Sequence, residues 1–191
     1  MLDNATVENL IARYDSPVPR YTSYPTALEF KPLEDAALND SYQQCNPNHP
    51  FSVYIHLPFC ENQCLYCGCN VLLSRRKDIL DTYIPLLIQE IQSKTELLSF
   101  RPKISQLHFG GGTPNFLRLP DWDKLFEALR KNFDFNDNAE ISVELDPMYL
   151  GEGYLNHLRT LGFNRVSYGV QDVTPKVLEA VNRPQDIDRI R

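Results

Sequence analysis

From about position 51 onward, short apolar runs alternate with longer stretches of helical period. Apolar runs at 51–56, 106–109, 140–145 and 164–170 read as buried strands. Helical patterns cover 78–98, 121–132 and 152–161, and a shorter one opens with Thr174 as N-cap and Pro175 at the first helical position. Pro85 is expected to kink or delimit the first long helix, and a further polar helix begins at Asp186. A βαβαβαβα order specifies a parallel sheet with helices packed outside it, and places ligands at the C-terminal ends of the strands. The expected class is α/β: a partial (β/α) TIM-like barrel truncated to about four βα units, since a closed barrel takes about 250 residues.

The first fifty residues differ. They hold Pro17, Pro19, Pro25, Pro32, Pro47 and Pro50, and show no sustained period beyond an amphipathic start near 7–14. Tyr14, Tyr21, Tyr24 and Phe30 are too many aromatics for a solvated tail, so 1–50 is expected to be an arm that packs over the site, ahead of a core at 51–191.

With 42% hydrophobic and 11% aromatic residues in 191, the chain has the material for a sizeable core, which excludes disorder. No 18-residue apolar run spans a membrane and the start lacks a signal-peptide pattern, so a cytoplasmic location is expected. A net charge of −6 gives no support to nucleic-acid binding.

Of five cysteines, Cys60, Cys64, Cys67 and Cys69 fall in one ten-residue stretch directly after the first strand. That crowding is a poor disulfide framework and a good metal site. The C-x3-C-x2-C spacing lets three thiolates hold three irons of one 4Fe–4S cube and leave the fourth iron open to a ligand. A zinc knuckle using all four thiolates competes, although structural zinc sites usually pair two C-x2-C units across a longer loop.

This motif after a first strand resembles that of radical S-adenosylmethionine (SAM) enzymes. The segments at 19–27, 54–70, 107–114, 144–147 and 169–172 further resemble the oxygen-independent coproporphyrinogen III oxidase family, in its N-terminal part only. The resemblance implies a 4Fe–4S cluster on Cys60, Cys64 and Cys67, with SAM at the open iron. Gly111, Gly112 and Thr113 would form the loop for the amino group of SAM, a role helped by glycines that let backbone approach a ligand and leave amides and carbonyls free. Tyr54, Tyr66 and Glu144 would contact SAM, and Gln171 and Arg183 a second SAM, Arg183 gripping its carboxylate. His56 and His108 lie at strand ends near the site. Cys69 is surplus to three-iron ligation, and its role is open between a free thiol, a packing residue and a catalytic or substrate-side group.

The implied reaction is oxidative decarboxylation of coproporphyrinogen III to protoporphyrinogen IX by a 5'-deoxyadenosyl radical. The tetrapyrrole carries four carboxylates, for which Arg13 and Arg20 on the arm are the candidate partners, Arg20 foremost. An electron donor such as a flavodoxin or a reductase is implied. A radical-SAM-like heme chaperone, and a truncated chain that binds a cluster without turnover, remain the alternatives.

Overall fold

The computed structural model describes residues 3–15, 29–32 and 34–190, so the proposed substrate ligand Arg20 lies outside the described residues. The chain divides into two compact units, residues 1–38 and 39–191. In the first, α1 (Asn4–Tyr14) begins at Asp3, whose carboxylate accepts from the Thr6 backbone N–H at 2.8 Å, the N-cap geometry that satisfies an orphan donor. Helix α2 (Asp35–Gln43), which has no clear sequence signal, crosses the boundary between the units.

The second unit is built on four parallel strands in the order β1 (Phe51–Leu57), β4 (Lys103–Gly111), β5 (Asp134–Leu145), β6 (Arg165–Tyr168). Between β1 and β4 lie a two-residue parallel pair, β2 (Phe59–Cys60) and β3 (Leu72–Leu73), and α3 (Leu80–Glu96). Helix α4 (Leu119–Asn132) joins β4 to β5, and α5 (Tyr154–Leu161) joins β5 to β6. Two short helices, α6 (Pro175–Ala180) and α7 (Ile187–Ile190), follow. Pro85 lies inside α3 and does not delimit it.

Residue parity divides the sheet into two faces. Ile55 and Leu57 of β1, Leu107 and Phe109 of β4, and Val143 and Leu145 of β5 are buried, and they join Leu80 and Ile84 of α3, Trp122, Leu125 and Phe126 of α4, and Leu158 of α5 in one core. Phe109 packs edge-on to Trp122 with ring centroids 4.9 Å apart, and the Trp122 indole N–H donates to the Tyr154 hydroxyl, which in turn donates to the Leu117 carbonyl.

The opposite parity carries Tyr54, His56, Gln106, His108, Ser142 and Glu144, a polar face. The strands are therefore not buried on both sides as their apolar runs suggested, and β6 is exposed at all four positions. The physical reason is architectural: in a barrel-type sheet the helices cover only the outer face, and β6 is the edge strand, paired on one side with β5.

Candidate functional site

The C-terminal ends of β1, β4, β5 and β6 gather on one edge of the sheet, and the cysteine loop leaves β1 there. Cys60 closes β2, and the loop returns to β3, where Leu72 N–H donates to the Pro58 carbonyl and Ser74 N–H to the Cys60 carbonyl. The loop is a pocket-forming excursion pinned at both ends by short parallel pairing.

The glycine run fits beneath it. Gly112 N–H donates to the Leu57 carbonyl at 2.8 Å and Thr113 N–H to the Phe59 carbonyl at 2.7 Å. A Cβ on Gly112 would lie 2.6 Å from that same Phe59 carbonyl oxygen, so the close approach requires glycine. Gly111 has φ +116°, and a Cβ there would meet the His56 ring at 2.6 Å. The expectation that this loop leaves its amides free is corrected: the Gly112 and Thr113 amides are spent on the β1–β2 backbone, because the run continues the parallel pairing of β4 with β1.

Around the sulfurs the chain places donors. The Thr113 hydroxyl lies 3.4 Å from Cys60 Sγ, and Arg183 Nη1 donates to Cys64 Sγ at 3.7 Å. Burial pushes the Cys60 thiol up, the Thr113 contact opposes that, and the nearby Cys67 and Cys64 add to it, so the three thiols lie within electrostatic reach of one another. Burial and then a hydrogen bond to Cys67 raise the Cys69 thiol, and Cys69 itself is exposed. Tyr66 is pushed up to about 12, by burial first and then by its contact with the Cys64 thiol.

On the concave face, the Tyr54 hydroxyl and His56 Nδ1 share a 3.0 Å hydrogen bond, and His56 Nε2 reaches the Asn70 carbonyl at 2.8 Å. His56 thereby ties the strand to the far end of the cysteine loop. His108 Nδ1 bonds the Ser142 hydroxyl at 2.7 Å, its Nε2 lies 3.5 Å from Glu144 Oε1, and its ring stacks on Tyr54. The Glu144 carboxylate thus stands at the strand end on the open face, as its position in the sequence suggested.

A cavity of about 210 Å³ opens beside the loop, lined by Gly112, Thr113, Glu144, Tyr168, Gly169 and Arg183 among others. It brings together four of the residues named from sequence. Gln171 is in the left-handed region at φ 65°, and a Cβ on Gly169 would lie 3.0 Å from its side-chain nitrogen, so Gln171 borders the same corner. Tyr54 and Tyr66 do not line this cavity.

Arg183 is not free to grip a ligand carboxylate with its full fork. Nη1 pairs with Asp146 Oδ2 at 2.9 Å and Nη2 donates to the Gly169 carbonyl at 2.9 Å, while Nε is buried without a partner. Asp146 is a residue that sequence reasoning missed. Its burial raises its carboxyl, opposed by the Met148 N–H and by Arg183. Asn115, also missed, donates to the Asp146 carbonyl and accepts from its N–H.

The donor set fits an iron–sulfur cluster: three neighbouring cysteines on irregular backbone, with a hydroxyl and a guanidinium aimed at two of the sulfurs. Among the described residues no three His, Cys, Asp or Glu side chains are gathered closely enough to enclose a single metal ion. Ligands to three separate irons of one cube stand farther apart than ligands to one ion.

A parallel half-barrel with a three-cysteine loop after its first strand and a glycine run after its second defines a radical SAM core. The radical SAM superfamily model matches residues 54–191, and the chain belongs to that superfamily, whose cofactors are a 4Fe–4S cluster and SAM. Among curated proteins it is 47% identical over 178 residues to an oxygen-independent coproporphyrinogen III oxidase from Salmonella typhimurium, covering 93% of this chain and 38% of that protein. The Escherichia coli protein of the same name is 46% identical over 179 residues, with the same coverage. A solved structure of coproporphyrinogen III oxidase from Escherichia coli, described as a radical SAM enzyme, superimposes with a TM-score of 0.84 at 42% identity, covering 95% of this chain and 40% of that one. The chain therefore spans about two fifths of the length of these relatives, in their N-terminal part.

Proposed function

We propose that this chain provides the cluster- and SAM-binding part of an oxygen-independent coproporphyrinogen III oxidase, acting in heme and porphyrin biosynthesis in the cytoplasm. Support comes chiefly from one observation: the cysteine loop stands at the C-terminal edge of a parallel sheet, with hydrogen-bond donors from two other elements aimed at its sulfurs. The names of the relatives support the substrate class, a tetrapyrrole bearing propionates.

In this reading Cys60, Cys64 and Cys67 hold the cluster, and Tyr54, Tyr66, Gly111, Gly112, Thr113, Glu144, Gln171 and Arg183 hold SAM. Bound there, the cluster and SAM would supply one-electron reductive cleavage of SAM and, with it, the hydrogen-abstracting power that oxidative decarboxylation of a propionate requires. The chain's own residues orient and shield. Gly112 and Thr113 lock the loop to β1. Glu144 offers acceptors to the ribose hydroxyls or ammonium of SAM from the concave face. Arg20, outside the described residues, is the proposed partner of a substrate carboxylate, and Cys69 is proposed to serve on the substrate side.

No helix among the described residues is long and apolar enough to cross a membrane. A flavodoxin or a reductase delivers the electron. The test is anaerobic iron and sulfide reconstitution of the chain and of the complete reading frame, followed by assay for 5'-deoxyadenosine and protoporphyrinogen. Both products from the complete protein are expected. A cluster that yields neither would refute this function and favour a heme-binding chaperone.

A further inference from the structure

The segment after α6 is laid along the cysteine loop. Leu65 N–H donates to the Val181 carbonyl, and the Asn182 side-chain amide donates to the Gln63 carbonyl at 2.8 Å. Arg183 follows, with its guanidinium between Cys64 Sγ and the Asp146 carboxylate. Both members of this ion pair are largely buried, their side chains 14% and 8% exposed.

Asp146 is itself rigidly held. Asn115 brackets its backbone from both sides at 2.8 and 2.9 Å, and the Met148 N–H occupies Oδ1, which leaves Oδ2 for Arg183 Nη1. The Gly169 carbonyl fixes Nη2. With two anchors, the planar fork has one orientation, and in it Nη1 faces the sulfur.

We propose that Asp146 is a positioning residue that aims the Arg183 guanidinium at Cys64, so that this ligand sulfur of a bound cluster carries a charge-assisted N–H···S bond that raises the cluster's reduction potential. The inference rests on the reading of Cys64 as an iron ligand, and goes beyond the SAM-binding role given to Arg183. Reduction adds a negative charge to the cluster. A guanidinium that cannot lose its proton, in a buried site of low effective dielectric, stabilises the reduced form more than the oxidised one. Hydrogen bonds to cluster sulfurs act in the same direction.

The test is an EPR-monitored redox titration of the reconstituted chain. Arg183→Gln is expected to lower the ratio of reduced to oxidised cluster at a fixed potential about tenfold, equivalent to about 59 mV for a one-electron couple. Arg183→Lys, which keeps the charge but cannot span both partners, should fall between that variant and the parent. Asp146→Asn is the deciding variant. It removes a nearby negative charge, whose direct electrostatic effect would raise the potential, whereas loss of aim lowers it. A lower potential with unchanged iron content supports the proposal; an unchanged or higher one overturns it. Should Asp146→Asn not assemble a cluster, Asp146→Glu, which keeps the charge and displaces the carboxylate by one methylene, is read by the same sign. Failure of the parent chain to assemble a four-iron cluster would instead remove the underlying reading of Cys64.

Discussion

Replacing Gly112 by alanine probes whether the cysteine loop is held by the glycine run. The added Cβ would stand 2.6 Å from the Phe59 carbonyl oxygen and 2.9 Å from the Pro58 carbonyl carbon, both backbone atoms that cannot rotate away. The β1–β2 backbone and the glycine run must separate, which breaks or stretches the bonds from Gly112 N–H to Leu57 and from Thr113 N–H to Phe59. At about 1 kcal/mol net for each bond, with some strain left over, the loss is about 2–3 kcal/mol. For a chain of this size that lowers Tm by roughly 4–12 °C. Because Thr113 carries its hydroxyl to Cys60, cluster content after reconstitution should fall as well. Gly151→Ala, where nothing lies within 4 Å of the new atom, is the control and should unfold at the parent temperature. A Gly112→Ala protein that melts within 1–2 °C of the parent, a shift of at most about 1 kcal/mol, would refute the close-approach argument.

Three further outcomes are expected. Tyr154→Phe strands the buried Trp122 N–H and the Leu117 carbonyl without their partner and should cost about 1–3 kcal/mol by urea unfolding, whereas a purely hydrophobic role for Tyr154 predicts no change. Serine at Cys60, Cys64 or Cys67 should abolish the reconstituted cluster absorbance, and Cys69→Ser should retain it; loss in the last case would make Cys69 a ligand. The Asp3 carboxyl is held below its usual value by the Thr6 backbone N–H, then by the Thr6 hydroxyl, so the cap is present above the ordinary aspartate pKa and is lost as pH falls through the lowered one. Amide exchange in α1 followed by NMR should accelerate over that acidic window, and a flat profile would contradict the capping role.

The alternation of elements was legible because long helices announce themselves by period, and 121–132 and 152–161 differ from α4 and α5 by two residues at their starts. The four strand cores lie within or across β1, β4, β5 and β6. What escaped was set by partners distant in sequence. The polar stretch Asp134, Asn136, Asp137 and Asn138 belongs to β5 because β4 pairs beside its start, with Lys103 opposite Asp134 and Ile104 opposite Phe135. The β2–β3 pair is only two residues long on each side and has no period to detect.

At the site, the cysteines could be placed from spacing alone, and Glu144 from its position at the end of an apolar run. The spent amides of Gly112 and Thr113 could not, since nothing local says whether a glycine run turns toward a ligand or toward its neighbouring strand. The Asp146–Arg183 pair joins residues 37 positions apart. Its only sequence trace is an acidic residue just past the third predicted strand, a place where polar groups are common whether or not they have a partner.

The central claim is that Cys60, Cys64 and Cys67 anchor a cube with one iron left open to SAM. Mössbauer spectroscopy of the anaerobically reconstituted chain, with and without added SAM, tests it most directly. A four-iron cluster in which one iron of the four changes its parameters on SAM addition is the predicted result. A thiolate-saturated mononuclear ion, or a four-iron spectrum indifferent to SAM, would contradict it.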